Sequence, residues 1–173
     1  MSAQQEWVQV VDAENHPCGS ATRAFVRRFK LWHQASYIFV RNSQGQLCVQ
    51  RRTECKDIFP GAFDLAAGGV VDAGEAMHMG ARRELNEELG IRTNRLYHCF
   101  DFRYVDDRLH CFGGVFLVDY DGPLILQATE VVDVQWLMPE QALSLKNVTP
   151  DTRLALEYLL ASGRLTASVG SSR

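Results

Sequence analysis

Three glutamates, Glu84, Glu87 and Glu88, fall within five residues of the stretch GGVVDAGEAMHMGARRELNEELGI, Gly68 to Ile91. On a helix turning about 100° per residue, Glu88 lies about 40° and Glu87 about −60° from Glu84, so the three carboxylates share one face. Ala81, Leu85 and Leu89 take the adjacent face, suited to a core. Like charges at these spacings weaken an isolated helix by a few tenths (about 0.2–0.5) of a kcal/mol per pair. Arg83, four before Glu87, offsets one of them. A divalent cation accounts for the set more fully, because Mg²⁺ takes oxygen ligands, keeps several waters and joins a few protein carboxylates to substrate phosphates. No His/Cys set of the kind Zn²⁺ favours accompanies them. The pattern points to hard-cation chemistry on a phosphorylated substrate.

The flanks fit such a helix. Asp72 and Glu75 form a D-x-x-E arrangement suited to capping its start, and Gly90 follows Leu89 where a left-handed residue ends a helix. Gly80 falls on the carboxylate stripe and leaves room above it. The small residues AAGG just ahead let backbone approach a metal or phosphate oxygens closely.

The elements that must hold this helix are legible from periodicity. WVQVVD from Trp7 alternates and runs into the turn ENHPCG, predicting a strand and a hairpin. Residues 21–29 suggest a helix whose Arg23, Arg27, Arg28 and Lys30 read as a solvated face. ASYIFVRN, the turn SQGQ and LCVQRR predict a central hairpin. Two aromatic and β-branched runs, Tyr97 to Val105 and His110 to Tyr120, predict an antiparallel pair in which His98 and His110 are ordinary strand residues. VVDVQWL predicts a short strand; MPEQALSL and then 150–161 predict helices, with Leu154, Leu156, Leu159 and Leu160 as an apolar face. This order argues for an α/β (α+β) mixed sheet flanked by helices rather than a regular βαβ wind.

A chain of 173 residues with 46% hydrophobic content suits one domain, 1–173, with residues 1–34 as an N-terminal hairpin and helix extension and a small polar tail, 163–173, that frays. A net charge of −3 without a basic tract excludes nucleic-acid polymers as the default partner. No apolar run reaches the roughly 20 residues of a membrane span, and Met1 to Glu6 lacks the parts of a signal peptide. The five cysteines, without a C-x-x-C pair, suit a reducing cytoplasm; Cys55, in a polar loop, is the one to watch for reactivity.

The stretch resembles the Nudix box, G-x5-E-x7-R-E-U-x-E-E-x-G-U with U apolar, filled at every specified position by Gly69, Glu75, Arg83, Glu84, Leu85, Glu87, Glu88, Gly90 and Ile91. The resemblance implies the Nudix fold, a mixed β-sheet sandwiched between α-helices. It also implies hydrolysis of a diphosphate linkage by water, with metal ions neutralising phosphoryl charge. It assigns Mg²⁺ or Mn²⁺ to Glu84, Glu87 and Glu88, their orientation to Arg83, and a coordinating carbonyl to Gly69; Glu75 is a helix-start or supporting group. A further acid outside the box often completes such sites: Glu130 is the candidate, with Asp133 its substitute, and a plain loop glutamate is the alternative. VQRRTECKDIFPGAFD resembles Nudix proteins close to isopentenyl diphosphate isomerases, which makes Arg51, Arg52 and Lys56 the phosphate-binding candidates. Strand alternation turns Arg51 and Arg52 to opposite faces, so one of them faces the cleft. Dimers are common in the family, and a homodimer is compatible with the resemblance.

Two rivals stand beside a hydrolase of nucleoside diphosphate derivatives or related small molecules. The isomerase needs a cysteine and a metal-binding histidine where this chain has Ala67 and Gly69, and its box is degenerate where this one is complete. A silent nucleotide-binding regulator usually loses box glutamates, and all are present here. Phe59, Phe63, Phe102, Tyr104 and Phe112 offer stacking surfaces, although aromatics at strand spacing are more often core. The leaving group is not legible from the box.

Overall fold

The computed structural model describes residue 2 and residues 5–166. In chain order the elements are β1 (Trp7–Val11), β2 (Pro17–Thr22), α1 (Arg23–Phe29), β3 (Trp32–Arg41), β4 (Leu47–Arg52), β5 (Phe63–Asp64), α2 (Met77–Leu89), β6 (Tyr97–Val105), β7 (His110–Asp119), β8 (Val131–Leu137), α3 (Pro139–Ser144) and α4 (Pro150–Ala161). Among the described residues no helix is long and apolar enough to cross a membrane.

Strand β3 is the axis. It pairs with β7 in parallel along its whole length, from Trp32↔His110 to Arg41↔Asp119. Apolar side chains leave it on both faces, as a strand covered on both sides requires. Tyr37 and Phe39 enter one core with Leu156 and Leu159 of α4. Ile38 and Val40 enter a second core with Ala81, Leu85 and Leu89 of α2. A mixed sheet between helices is therefore observed as expected, with α2 on one face and α3 and α4 on the other.

The expected central hairpin is corrected. β3 and β4 meet only at Arg41↔Leu47, beside their turn. Beyond that pair β4 runs antiparallel to β8, from Leu47↔Leu137 to Arg52↔Val131. The edge of β3 that β4 leaves is taken by residues 67–71: Ile38 and Ala67 exchange backbone bonds, Ser36 N donates to Gly69 O, and Val71 N donates to Gln34 O. β1 joins the same strand at Val10↔His33. A strand has two edges, and both of β3's are occupied, so β4 diverges. Arg41 secures the junction, donating to both carboxylate oxygens of Asp119 at 2.7 and 3.1 Å and to Leu165 O at 2.6 Å.

Two local readings also shift. Ala21 and Thr22 belong to β2, where they face Val8 and Trp7, so α1 begins at Arg23 with Thr22 Oγ1 accepting from Phe25 N. α2 begins after Ala76; Glu75 turns back to accept from Asp72 N at 3.1 Å, closing a turn ahead of the helix instead of capping it. Gly90 ends the helix as expected, at φ 69 with its N–H on Asn86 O. Of the tail expected to fray, residues 167–173 lie outside the described residues.

Cys48, Cys99 and Cys111 pack inside, whereas Cys18 joins Cys55 on the surface because β2 is an exposed strand. Burial pushes the Cys48 and Cys111 thiols up to about 12. Titration of the native protein with a thiol reagent near pH 8 is expected to modify Cys18 and Cys55 only, with the remaining three reacting after unfolding; fast native modification of Cys48 or Cys111 contradicts this packing.

Candidate active site

Where β3 and β4 part, a cleft opens over residues 66–70, with Glu88 of α2 on its wall. Ligand crevices form where neighbouring strands separate in this way. The glutamate face of α2 does not stand free. Arg83 donates from Nε and Nη2 to both oxygens of Glu75 at 3.0 and 3.1 Å, and from Nη1 to Glu84 at 2.8 Å and Glu87 at 3.4 Å. Asp72 lies 3.4 Å from the same guanidinium. Hydrogen bonding to Glu75 raises the Arg83 pKa still further, so its charge is permanent. Arg83 was expected to offset one carboxylate; it gathers four.

Glu88 is the exception. Its Oε2 accepts from Gln50 Nε2 and from Gly68 N, each at 3.2 Å, and no cation pairs with it among the described residues. Burial, with the neighbouring charges of Glu84 and Asp64, pushes its carboxyl up to about 8. Burial also raises Glu84, with Arg83 opposing. Two half-buried carboxylates side by side, with all-oxygen donors, suit a hard divalent cation. As they stand, no three His, Cys, Asp or Glu groups among the described residues converge closely enough to hold an ion. Glu84 and Glu87 are drawn to Arg83, and Glu88 is turned to Gln50 and Gly68.

The glycines make this wall possible. Gly68 sits at φ +144, and a Cβ there would lie 1.9 Å from Ser36 O. A Cβ on Gly69 would lie 2.6 Å from Glu84 Oε1, and the Gly69 carbonyl already accepts from Ser36 N at 2.9 Å. Gly80 makes room not for a ligand but for Glu75, whose Oε2 would lie 2.9 Å from an added Cβ.

Opposite the glutamates stand cations. Arg52 donates to Asp64 Oδ2 at 2.7 Å and to the carbonyls of Ile58 and Phe59, which fixes the loop after β4. Lys56 lines the cleft and pairs with Glu130; burial and the charge of Arg52 lower its pKa. Arg51 points away, pairing with Asp133 on the exposed face at 3.0 Å, so the alternation of the strand sends only Arg52 inward. Arg51 therefore stands outside the cleft, as does Asp133. Glu130 is held against Lys56 rather than lining the cleft.

Residues 31–159 match the NUDIX domain family. The chain belongs to the Nudix hydrolases. It is 41% identical over 155 residues to the uncharacterized Nudix hydrolase YfcD of Escherichia coli, covering 89% of this chain and 86% of that one. Among solved structures it is similar to DR0079 of Deinococcus radiodurans, with TM-score 0.77, 26% identity, and 88% of this chain and 98% of that one covered. The NUDIX domain of Shewanella oneidensis NrtR, solved in complex with ADP ribose, shares the fold at TM-score 0.64 and 16% identity over 82% of this chain and 98% of that one.

Several residues of this Nudix cleft escaped the reading of the sequence. Arg23 and Arg27 of α1 were read as a solvated face, yet both line the cleft. They are four apart and so share a side of the helix, whereas Arg28 turns outward over the Phe29 ring. Arg27 pairs with Asp57, and Arg23 Nε is buried without a partner among the described residues. Gln50, only 2% exposed in an otherwise apolar strand segment, was detectable as an amide at a core position. Replacing Gly68 by Ala is expected to force the loop off Ser36 and Glu88, costing at least about 1–3 kcal/mol in urea unfolding and removing activity; a wild-type stability curve would refute the clash.

Proposed function

We propose that this Nudix hydrolase splits the diphosphate linkage of a nucleoside diphosphate derivative, or a related small molecule, by attack of water and with the help of Mg²⁺ or Mn²⁺. The observation that carries the reading is one cleft lined by the half-buried Glu88 together with Arg23, Arg27, Arg52 and Lys56. Glu84, Glu87 and Glu88 would hold the divalent ion that Nudix hydrolases generally use, and bound there it would neutralise phosphoryl charge and lower the pKa of the attacking water. Arg83, which now donates to Glu84 and Glu87, would share these two carboxylates with that ion while keeping the wall in register. Arg52 and Lys56, backed by Asp64 and Glu130, present fixed donors to the phosphoryl oxygens and need no reorganisation during the reaction. Glu130 acts as a positioning residue for Lys56. The ADP ribose complex of a fold neighbour supports a nucleoside diphosphate derivative as ligand class.

Against the isomerase rival stands the segment Ala67-Gly68-Gly69. It supplies neither a thiol nor an imidazole, and the 1.9 Å approach of a Gly68 Cβ to Ser36 O shows how closely its backbone is packed. The test is a panel of diphosphate compounds with Mg²⁺ and with Mn²⁺, scored for release of phosphate or a monophosphate. Glu87→Gln and Glu88→Gln are each expected to lower kcat by at least about 100-fold with an unchanged circular dichroism spectrum; full activity in both would overturn the assignment. Lys56→Ala is expected to raise KM about tenfold, and excess EDTA to stop turnover reversibly.

A further inference from the structure

The part of the cleft built by β3 and α4 is unlike the phosphate side. Tyr37 of β3 and Thr149, Asp151 and Thr152 at the start of α4 line it. Its hydroxyls are mostly committed. Thr149 Oγ1 donates to Asp64 Oδ1 at 2.7 Å, and Thr152 Oγ1 lies 2.6 Å from Thr149 Oγ1 while accepting from Leu65 N at 3.2 Å. Tyr37 donates to Asp151 Oδ2 at 2.9 Å. Asp64 is balanced by Arg52, whereas Asp151 makes no ion pair among the described residues. Burial raises the Asp151 carboxyl, and the charge of Asp64 raises it further. The same Asp64 charge is felt by Glu88, so one carboxylate links the two parts of the cleft electrically.

A half-buried carboxylate with one side-chain donor and no cation keeps part of its desolvation cost unless further groups donate to it. The backbone N–H groups of Asp151 and Thr152, at the start of α4, lie close enough to lower its pKa; the neighbouring hydroxyls do not help, because the Thr149 proton goes to Asp64 and Thr152 turns to Thr149. An ionised carboxylate accepts about four hydrogen bonds, so Asp151, which lines the cleft, can take a further donor from what enters it. A hydrocarbon group lodged here would exclude water from Asp151 without offering it a bond, whereas a hydroxyl or amino group would supply one.

We propose that Asp151 determines specificity in this cleft by accepting a hydrogen bond from a hydroxyl or amino group on the organic part of the diphosphate substrate, selecting polar groups over hydrocarbon ones. The inference rests on the diphosphate-hydrolase reading above and names the substrate class for that site. Tyr37 orients the carboxylate through its hydrogen bond, and the phosphates remain with Arg52 and Lys56.

The test compares kcat/KM for adenosine diphosphate, ribose 5-diphosphate and geranyl diphosphate in wild type, Asp151→Leu and Asp151→Asn, alongside binding of Mg²⁺-methylenediphosphonate, which has no organic group beyond its bridge. The wild type is expected to prefer the polar compounds by at least about 100-fold. Asp151→Leu should shrink that preference to about tenfold or less. Asp151→Asn, which still accepts from Tyr37 and keeps the fold, should fall between. Loss on both polar compounds assigns the hydroxyl, and loss on adenosine diphosphate alone assigns the amino group. Methylenediphosphonate affinity should stay within about twofold of wild type. Unchanged preference in both variants overturns the inference and leaves the hydrolase standing, and so does methylenediphosphonate binding that weakens as much as substrate binding. A wild type that hydrolyses none of the three overturns the inference and, with a silent wider panel, the hydrolase reading too.

Discussion

β3 and β4 touch at a single pair, Arg41↔Leu47, and the separation that follows creates the site. One edge of β3 is filled by β7 and the other by residues 67–71, which hydrogen-bond to Gln34, Ser36 and Ile38. That second pairing sets Gly68 and Gly69 against α2, and it is what lets Gly68 N reach Glu88. The end of β4 meanwhile swings Arg52, and the loop behind it Lys56, around to the far side. The acidic wall of α2, seated on residues 67–71, and the basic side carried by the end of β4 make a cleft that neither makes alone.

Electrostatics explain why the wall keeps its shape. Like charges along one helix face are unfavourable, and Arg83 holds two of them, Glu84 and Glu87, together with Glu75 and the nearby Asp72. A guanidinium suits this task better than an ammonium because its fork can serve Glu75 with one edge and Glu84 with another. Glu88 is left to backbone and amide donors, and the cost of its burial is visible in its raised pKa. The helix thus keeps one carboxylate whose charge is unbalanced, next to others whose partner can be exchanged.

The sequence made the wall legible because its signals are local. Spacing alone put Glu84, Glu87 and Glu88 on one face and Leu85 and Leu89 in the core, and alternation alone separated Arg51 from Arg52. What escaped was non-local. The hairpin turn between β3 and β4 reads correctly, yet nothing near it says that β7 and residues 67–71 will claim the edges of β3. Arg23 and Arg27 look like any basic helix face until α1 is folded over the cleft. Glu130 sits near Lys56 only through the bond of Thr53 N to Glu130 O and the pairing of β4 with β8. Asp151 gave no signal, since an acid in the first turn of a helix after Pro150 is what helix propensity itself favours.

The parallel pairing of β3 with β7 also bears on how the chain reaches this state. Arg41 and Asp119 are 78 residues apart, and Tyr37 and Asp151 are 114 apart. Contacts at such separations make folding slow, because a long loop closes before any pairing rewards it. On a ribosome β3 emerges early, apolar on both faces, and keeps an edge of unpaired N–H and C=O groups bare until β7 has been made. The residues that make β3 the axis of the finished protein are, during synthesis, its most exposed route to aggregation.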